Sequence, residues 1–175
     1  MFWLTDAIEA IRDFMSLGGP VLKAIAVAIF LMWVLIVERM LFFRSTMRDL
    51  SRQIHDEWET RPERRSWNAH QIRELVISRF SMTVHRGIAM IQTFVALCPL
   101  LGLLGTVTGM ITVFQALATS GSGNVRAMAA GVSQATIPTM AGMVGALSGV
   151  LFVTLLQRRA AREVEFLEDS LTMDH

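Results

Sequence analysis

From Gly87 to Val125 the chain carries no charged residue, and a second charge-free run extends from Ala127 to Gln157. A helix needs about 20 apolar residues to cross the hydrocarbon core of a bilayer, and each run exceeds that. Lipid offers the backbone no hydrogen-bonding partner, so a spanning segment of this kind has to satisfy its amides internally as a helix. A third stretch, Val21 to Val37, is apolar apart from Lys23, which can snorkel to the headgroups. It meets Glu38-Arg39 and then resumes as Met40-Leu41-Phe42-Phe43. Hydrophobic residues make up 53% of the chain and charges 18%, more apolar than an ordinary soluble domain. The expected fold is an all-α integral membrane protein with three transmembrane helices, whose surplus length projects as long helical extensions into the cytoplasm.

The expected segments are an amphipathic N-terminal segment at 1–19, transmembrane helix 1 at 20–43, a helical loop at 44–86, transmembrane helix 2 at 87–118, a turn at 119–126, transmembrane helix 3 at 127–157 and a tail at 158–175. In the first of these, Phe2, Trp3, Leu4, Ile8, Ile11 and Met15 recur near helical spacing, as in a helix lying in the membrane interface. Asp6, Glu9 and Asp13 exclude a secretory leader there, and Gly18-Gly19-Pro20 breaks the pattern before the first span. Orientation follows from arginine. The 44–86 loop holds Arg44, Arg48, Arg52, Arg61, Arg64, Arg65, Arg73, Arg79 and Arg86, and the tail adds Arg158, Arg159 and Arg162. The positive-inside bias puts loop and tail in the cytoplasm. The N-terminus and the turn around Ser120 to Asn124 then lie on the other side. In the loop, Ile72, Leu75, Val76, Ile77 and Phe80 keep helical spacing among charges of alternating sign, as in Arg61, Glu63, Arg64 and Arg65.

Glycine in a helix interior costs roughly 1 kcal/mol against alanine, yet Gly102, Gly105 and Gly109 stand at i, i+3 and i+7 in the second span. Gly142, Gly145 and Gly149 repeat that spacing in the third. Small-residue stripes let helix backbones approach closely where lipid supplies no hydrophobic drive for association, so both stripes are read as helix-packing seams. The hydroxyls Thr106, Thr108, Thr112, Ser133, Thr136, Thr139 and Ser148 can each bond back to a carbonyl one turn earlier. Gln134 needs a partner or water, and Pro138 removes the usual donor for the Gln134 carbonyl. The polar set is therefore interhelical glue or a pore lining. Gln134 and Thr139 differ by about 140° on an ideal helix, so both face one lumen only if Pro138 distorts the helix between them.

The remaining chemistry is sparse. Cys98, the single cysteine, lies in an apolar run and reads as a small buried hydrophobe. His55, His70, His85 and His175 are scattered, with no metal-ligand spacing. Neither a nucleophile–base pair nor a phosphate loop is present, since "GLLGTVTG" lacks the preceding strand and the lysine. An enzyme, a catalytic residue, a metal site and a nucleic-acid partner are not expected.

The runs "PLLGLLGTVTGMITVF" (99–114) and "GVSQATIPTMAGMVGALSGV" (131–150) resemble the MotA/TolQ/ExbB proton-channel family, most of all its short ExbB branch. MotA-type stators carry four spans, and TolQ-like subunits are usually longer. The resemblance implies a homopentamer in the bacterial inner membrane, with a periplasmic N-terminus and a cytoplasmic C-terminus. It would enclose the helices of an ExbD-like single-span protein bearing an intramembrane aspartate. With a TonB-like protein the assembly would energise outer-membrane transport, with protons as the coupling ion and no cofactor. The family's pore-lining threonines correspond to Thr106 and Thr139. Its third-span motif often has glutamate where this chain has Gln134, which cannot titrate. The resemblance thus assigns the proton path to Thr106, Thr139 and Gln134 beside the partner's acid. A TolQ-like envelope-maintenance subunit and a non-conducting membrane scaffold are the competing expectations. Glu38, at the end of the first span, reads as a headgroup-level charge.

Overall fold

The structure, a computed structural model, describes residues 2–60, 67–120 and 125–171. Among the described residues five helices follow in order: α1 (Phe2–Leu17), α2 (Gly19–Glu59), α3 (Trp67–His85), α4 (Ile88–Ser120) and α5 (Val125–Ser170). No strand occurs among the described residues, and three of the helical stretches are long and apolar enough to cross a membrane. At 1.5 Å per residue, the 41 residues of α2 reach about 60 Å and the 46 residues of α5 about 70 Å. A hydrocarbon core is only about 30 Å thick, so roughly half of each helix extends beyond it. The protein is an all-α membrane protein with long helical extensions. The charged residues Arg61, Glu63, Arg64 and Arg65, the turn residues 121–124 and His175 lie outside the described residues, as do the side chains of Phe2, Trp3, Leu4 and Ile8.

Two glycines make the sharp breaks. Gly19, at φ +65°, stands between α1 and α2, with Pro20 in the first turn of α2, where a missing N–H costs no helical bond. Gly87, at φ +89°, separates α3 from α4. A side chain is strained at either angle.

The chain divides into two compact units. In residues 1–33 and 93–150, the interior is made where α2, α4 and α5 touch: Ala28, Cys98 and Ala146 are buried together, with Ile29, Phe94 and Leu101 packed on them. In residues 34–92 and 151–171, large side chains are buried. Ile36, Phe43, Met47 and Trp58 of α2 are buried there, with Phe80 and Val84 of α3 and Val153, Leu156, Ala160 and Leu167 of α5. The spacing of the α5 set, three to seven residues apart, keeps one face inward along the helix.

Candidate functional site

In the first unit α4 and α5 run antiparallel along their glycine stripes. A Cβ placed on Gly109 would stand 2.5 Å from Ala135 Cα, and one on Gly142 would stand 2.5 Å from the Cys98 carbonyl oxygen. Both obstacles are backbone atoms, so the approach exists only because hydrogen replaces a methyl. On Gly105 the added atom would meet the Pro138 ring at 2.5 Å, and on Gly102 it would lie 3.1 Å from Thr139 Cα. Gly149 faces Val95 and Met32, and Gly145 faces Ile29, so the α5 stripe serves α2 as well as α4. Pro138 lies inside α5, which is assigned as helix without interruption. The ring is buried and fills the groove left by Gly105.

The hydroxyls lie along the edges of this seam. Thr106 is half-buried and donates to the Leu103 carbonyl within its own helix at 2.7 Å. Thr108 does the same toward Gly105 at 3.0 Å. Thr139, also half-buried, is 3.2 Å from the Ala135 carbonyl in its own helix and 3.4 Å from the Gly102 carbonyl of α4. Thr136 is exposed, its hydroxyl on the Val132 carbonyl at 2.9 Å.

Gln134 behaves differently. Its amide reaches Thr112 Oγ1 at 3.4 Å, and its other end lies against the start of α2, where a Cβ on Gly19 would meet Nε2 at 2.5 Å. The single Thr112 proton is already directed at the Gly109 carbonyl at 2.6 Å. The contact is therefore best satisfied with the amide nitrogen turned to donate to Thr112. Oxygen and nitrogen of a carboxamide are assigned by their partners. In that orientation the Gln134 oxygen lies against Gly19 at the start of α2, a helix end where a partial negative charge is favoured. Gln134 and Thr139 thus contact α4 from the two sides of the Ala135–Pro138–Gly142 ridge, Thr112 on one side and Gly102 on the other.

The sequence matches the MotA/TolQ/ExbB proton channel family over residues 39–169, three-quarters of the chain. The chain belongs to this family. Among relatives, the Synechocystis sp. biopolymer transport protein ExbB-like 1 is 37% identical over 86 residues, covering 47% of this chain and 34% of that protein. ExbB-like 3 of the same organism is 30% identical over 80 residues, covering 45% and 38%. The aligned stretches thus span little more than a third of those relatives.

The stretch matched to the family opens on Arg39, a residue that the charge pattern marks only as the end of a span. Arg39 is 8% exposed. Its Nη2 donates to the Thr83 carbonyl at 2.6 Å and the Val84 carbonyl at 2.5 Å, two of the carbonyls left open where α3 ends before Gly87. The guanidinium also lies over the Phe42 ring at 4.5 Å and the Phe43 ring at 5.5 Å, within cation–π range. Arg73 repeats the device at the end of α5: Nε donates to Leu171 at 2.8 Å and Nη2 to Glu168 at 2.7 Å. Cations at helix C-termini satisfy open carbonyls and complement the dipole. Glu38, beside Arg39, is exposed. The sequence signal that could have singled out Arg39 is its placement inside an apolar run, between Val37 and Met40-Leu41-Phe42-Phe43, where an unpaired guanidinium would be costly.

Proposed function

We propose that this chain is an ExbB-like stator subunit of the bacterial inner membrane. With an ExbD-like partner it uses the proton motive force to energise TonB-dependent outer-membrane transport. The observation that carries the reading is the family match laid over two spans, 87–125 and 127–157, that contain no carboxylate, lysine, arginine or histidine. Moving protons through a membrane needs a titrating group at depth facing a polar cavity, and these spans offer hydroxyls and carboxamides, Gln134 among them. The acid then comes from a partner helix, and this chain lines the path with Thr106 and Thr139. The arginine-rich segments support a cytoplasmic loop and tail with the N-terminus in the periplasm.

Oligomerisation has its own support. Leu103, Leu104, Val107, Ile111 and Phe114 of α4 and Val144 and Leu147 of α5 are exposed in the single chain, faces that lipid or further copies in a ring would cover. We read the chain as non-enzymatic, with protons as its coupling ion and no cofactor. For Gln134, contacts to Thr112 and to the Gly19 turn favour the role of interhelical tie within one chain. The TolQ-like alternative shares every feature above and is separated by which single-span protein copurifies with the chain.

The test uses Thr106→Ala and Thr139→Ala in cells dependent on this subunit. Each removes a neutral hydroxyl worth on average about 0.6 kcal/mol inside a membrane, so assembly should persist while energised uptake is lost. Normal uptake by both variants would remove these threonines from the proton path. An assembled subunit whose loss leaves gradient-dependent uptake intact would overturn the stator reading itself.

A further inference from the structure

A cavity of about 680 Å³ opens between α2 and α5 in the second unit. Arg44 enters it from α2, and Arg159 and Arg162 enter it from α5, with Glu163 as the one acid in its wall. Three arginines against one glutamate leave a formal charge of +2 in the lining. Among the described residues, no carboxylate is within ion-pair distance of Arg44, Arg159 or Arg162. The Arg162 Nε is turned onto the Arg158 carbonyl of its own helix at 3.3 Å, and its terminal nitrogens remain for another partner. The rest of the wall is apolar: Met40, Leu41 and Phe43, the last residues of the first apolar stretch before Arg44.

We propose that this cavity binds the headgroup of one anionic phospholipid, phosphodiester on the arginines and acyl chain along Met40 and Leu41. The location selects this ligand. Arg44 follows the last apolar residue of one span, and Arg159 lies two residues past Gln157 at the end of another, so both helices leave the hydrocarbon here, at headgroup level. Planar guanidiniums present paired N–H groups that match phosphate oxygens, and basic pockets between membrane helices accommodate anionic headgroups. The apolar wall distinguishes lipid from free phosphate, since Leu41 is 60% exposed beside the arginines and gains contact only from an alkyl chain. The excess of two positive charges distinguishes an anionic lipid from a zwitterionic one, whose ammonium would face uncompensated arginines. The site is independent of which partner the complex drives.

The intact protein, extracted in detergent and titrated with phosphatidylglycerol under native mass spectrometry, provides the test. Wild type should hold about one lipid per chain. Arg159→Gln with Arg162→Gln should weaken that binding about thirtyfold, at the worth of two interfacial arginines, and Arg44→Gln should weaken it in the same direction from the other helix. Arg158→Gln removes one charge, as Arg44→Gln does, but from outside the cavity, and should bind as wild type. Equal loss in Arg158→Gln would show diffuse counterion attraction and overturn the site. So would equal binding of phosphatidylcholine, or displacement of the lipid by an equal concentration of inorganic phosphate. Unchanged binding in all the cavity variants would overturn it as well.

Discussion

Between Cys98 and Val113 of α4, and the facing turns of α5 from Gly131 to Gly149, the buried residues are glycine, alanine, cysteine, proline and a single valine. Past Gln157, where the charge-free run ends, α5 buries Ala160 and Leu167, and the elements around them bury Met47, Trp58 and Phe80. The charge pattern puts the first region in lipid and the second, past the charge-free runs, in water. Water makes a buried large side chain worth about 1.5–3 kcal/mol, so large residues hold the second unit together. Lipid gives no such return, and the α4–α5 seam relies on backbone-to-backbone approach. Their polar contacts differ in the same sense. The first unit uses neutral hydroxyls and one amide, whereas the second places arginines on the carbonyl ends of helices.

The comparison breaks most sharply at Gly142. A Gly142→Leu substitution drives a side chain into the Cys98 carbonyl, with backbone atoms that cannot rotate aside, and should cost at least about 3 kcal/mol. The expected outcome is a loss of folded, extractable protein, read by thermal unfolding in detergent. Gly102→Ala, facing Thr139 Cα at 3.1 Å, should be far milder, and equal damage at both sites would contradict the seam geometry. Next comes Arg39→Ala, which leaves the Thr83 and Val84 carbonyls open inside the second unit. Charge-assisted bonds are worth about 1.5–3 kcal/mol, so unfolding should shift by roughly 2–3 kcal/mol. Lysine should restore only part of it, having lost the planar fork.

Smaller effects follow. Arg73→Ala removes the cap at the end of α5 in a more exposed setting, and about 1 kcal/mol is expected. Hydrogen exchange should quicken at residues 167–171 while the glycine seam stays protected. A change in the seam as well would show that Arg73 does more than cap. Gln134→Ala should cost the least, about 0.5–1 kcal/mol, with the loss confined to the first turns of α2 in the same exchange measurement. A uniform loss across α4 and α5 would assign Gln134 to the seam rather than to the α2 turn.

Much of this architecture was legible in advance because a membrane reduces folding to patterns along one dimension. The charge-free runs forced helices, and the repeated i, i+3, i+7 glycines announced which faces lose their side chains to close approach. The same local reading could not say that Pro138 fits the groove of Gly105. Nor could it tell which neighbour Thr139 reaches, since Gly102 lies 37 residues away.

Arg39 shows the division best. Its chain neighbours mark it as a span boundary, while its partners Thr83 and Val84 lie 44 and 45 residues on. Hydropathy, helical period and glycine spacing belong to residues adjacent in the chain, so the sequence alone determined the helices, the spans and the small-residue faces. Which helix end an arginine caps, and which turn Gln134 reaches, depend on how distant segments meet. Only the tertiary structure decided them, because an open carbonyl or an unpaired amide carries no mark in the sequence of the residue that will satisfy it.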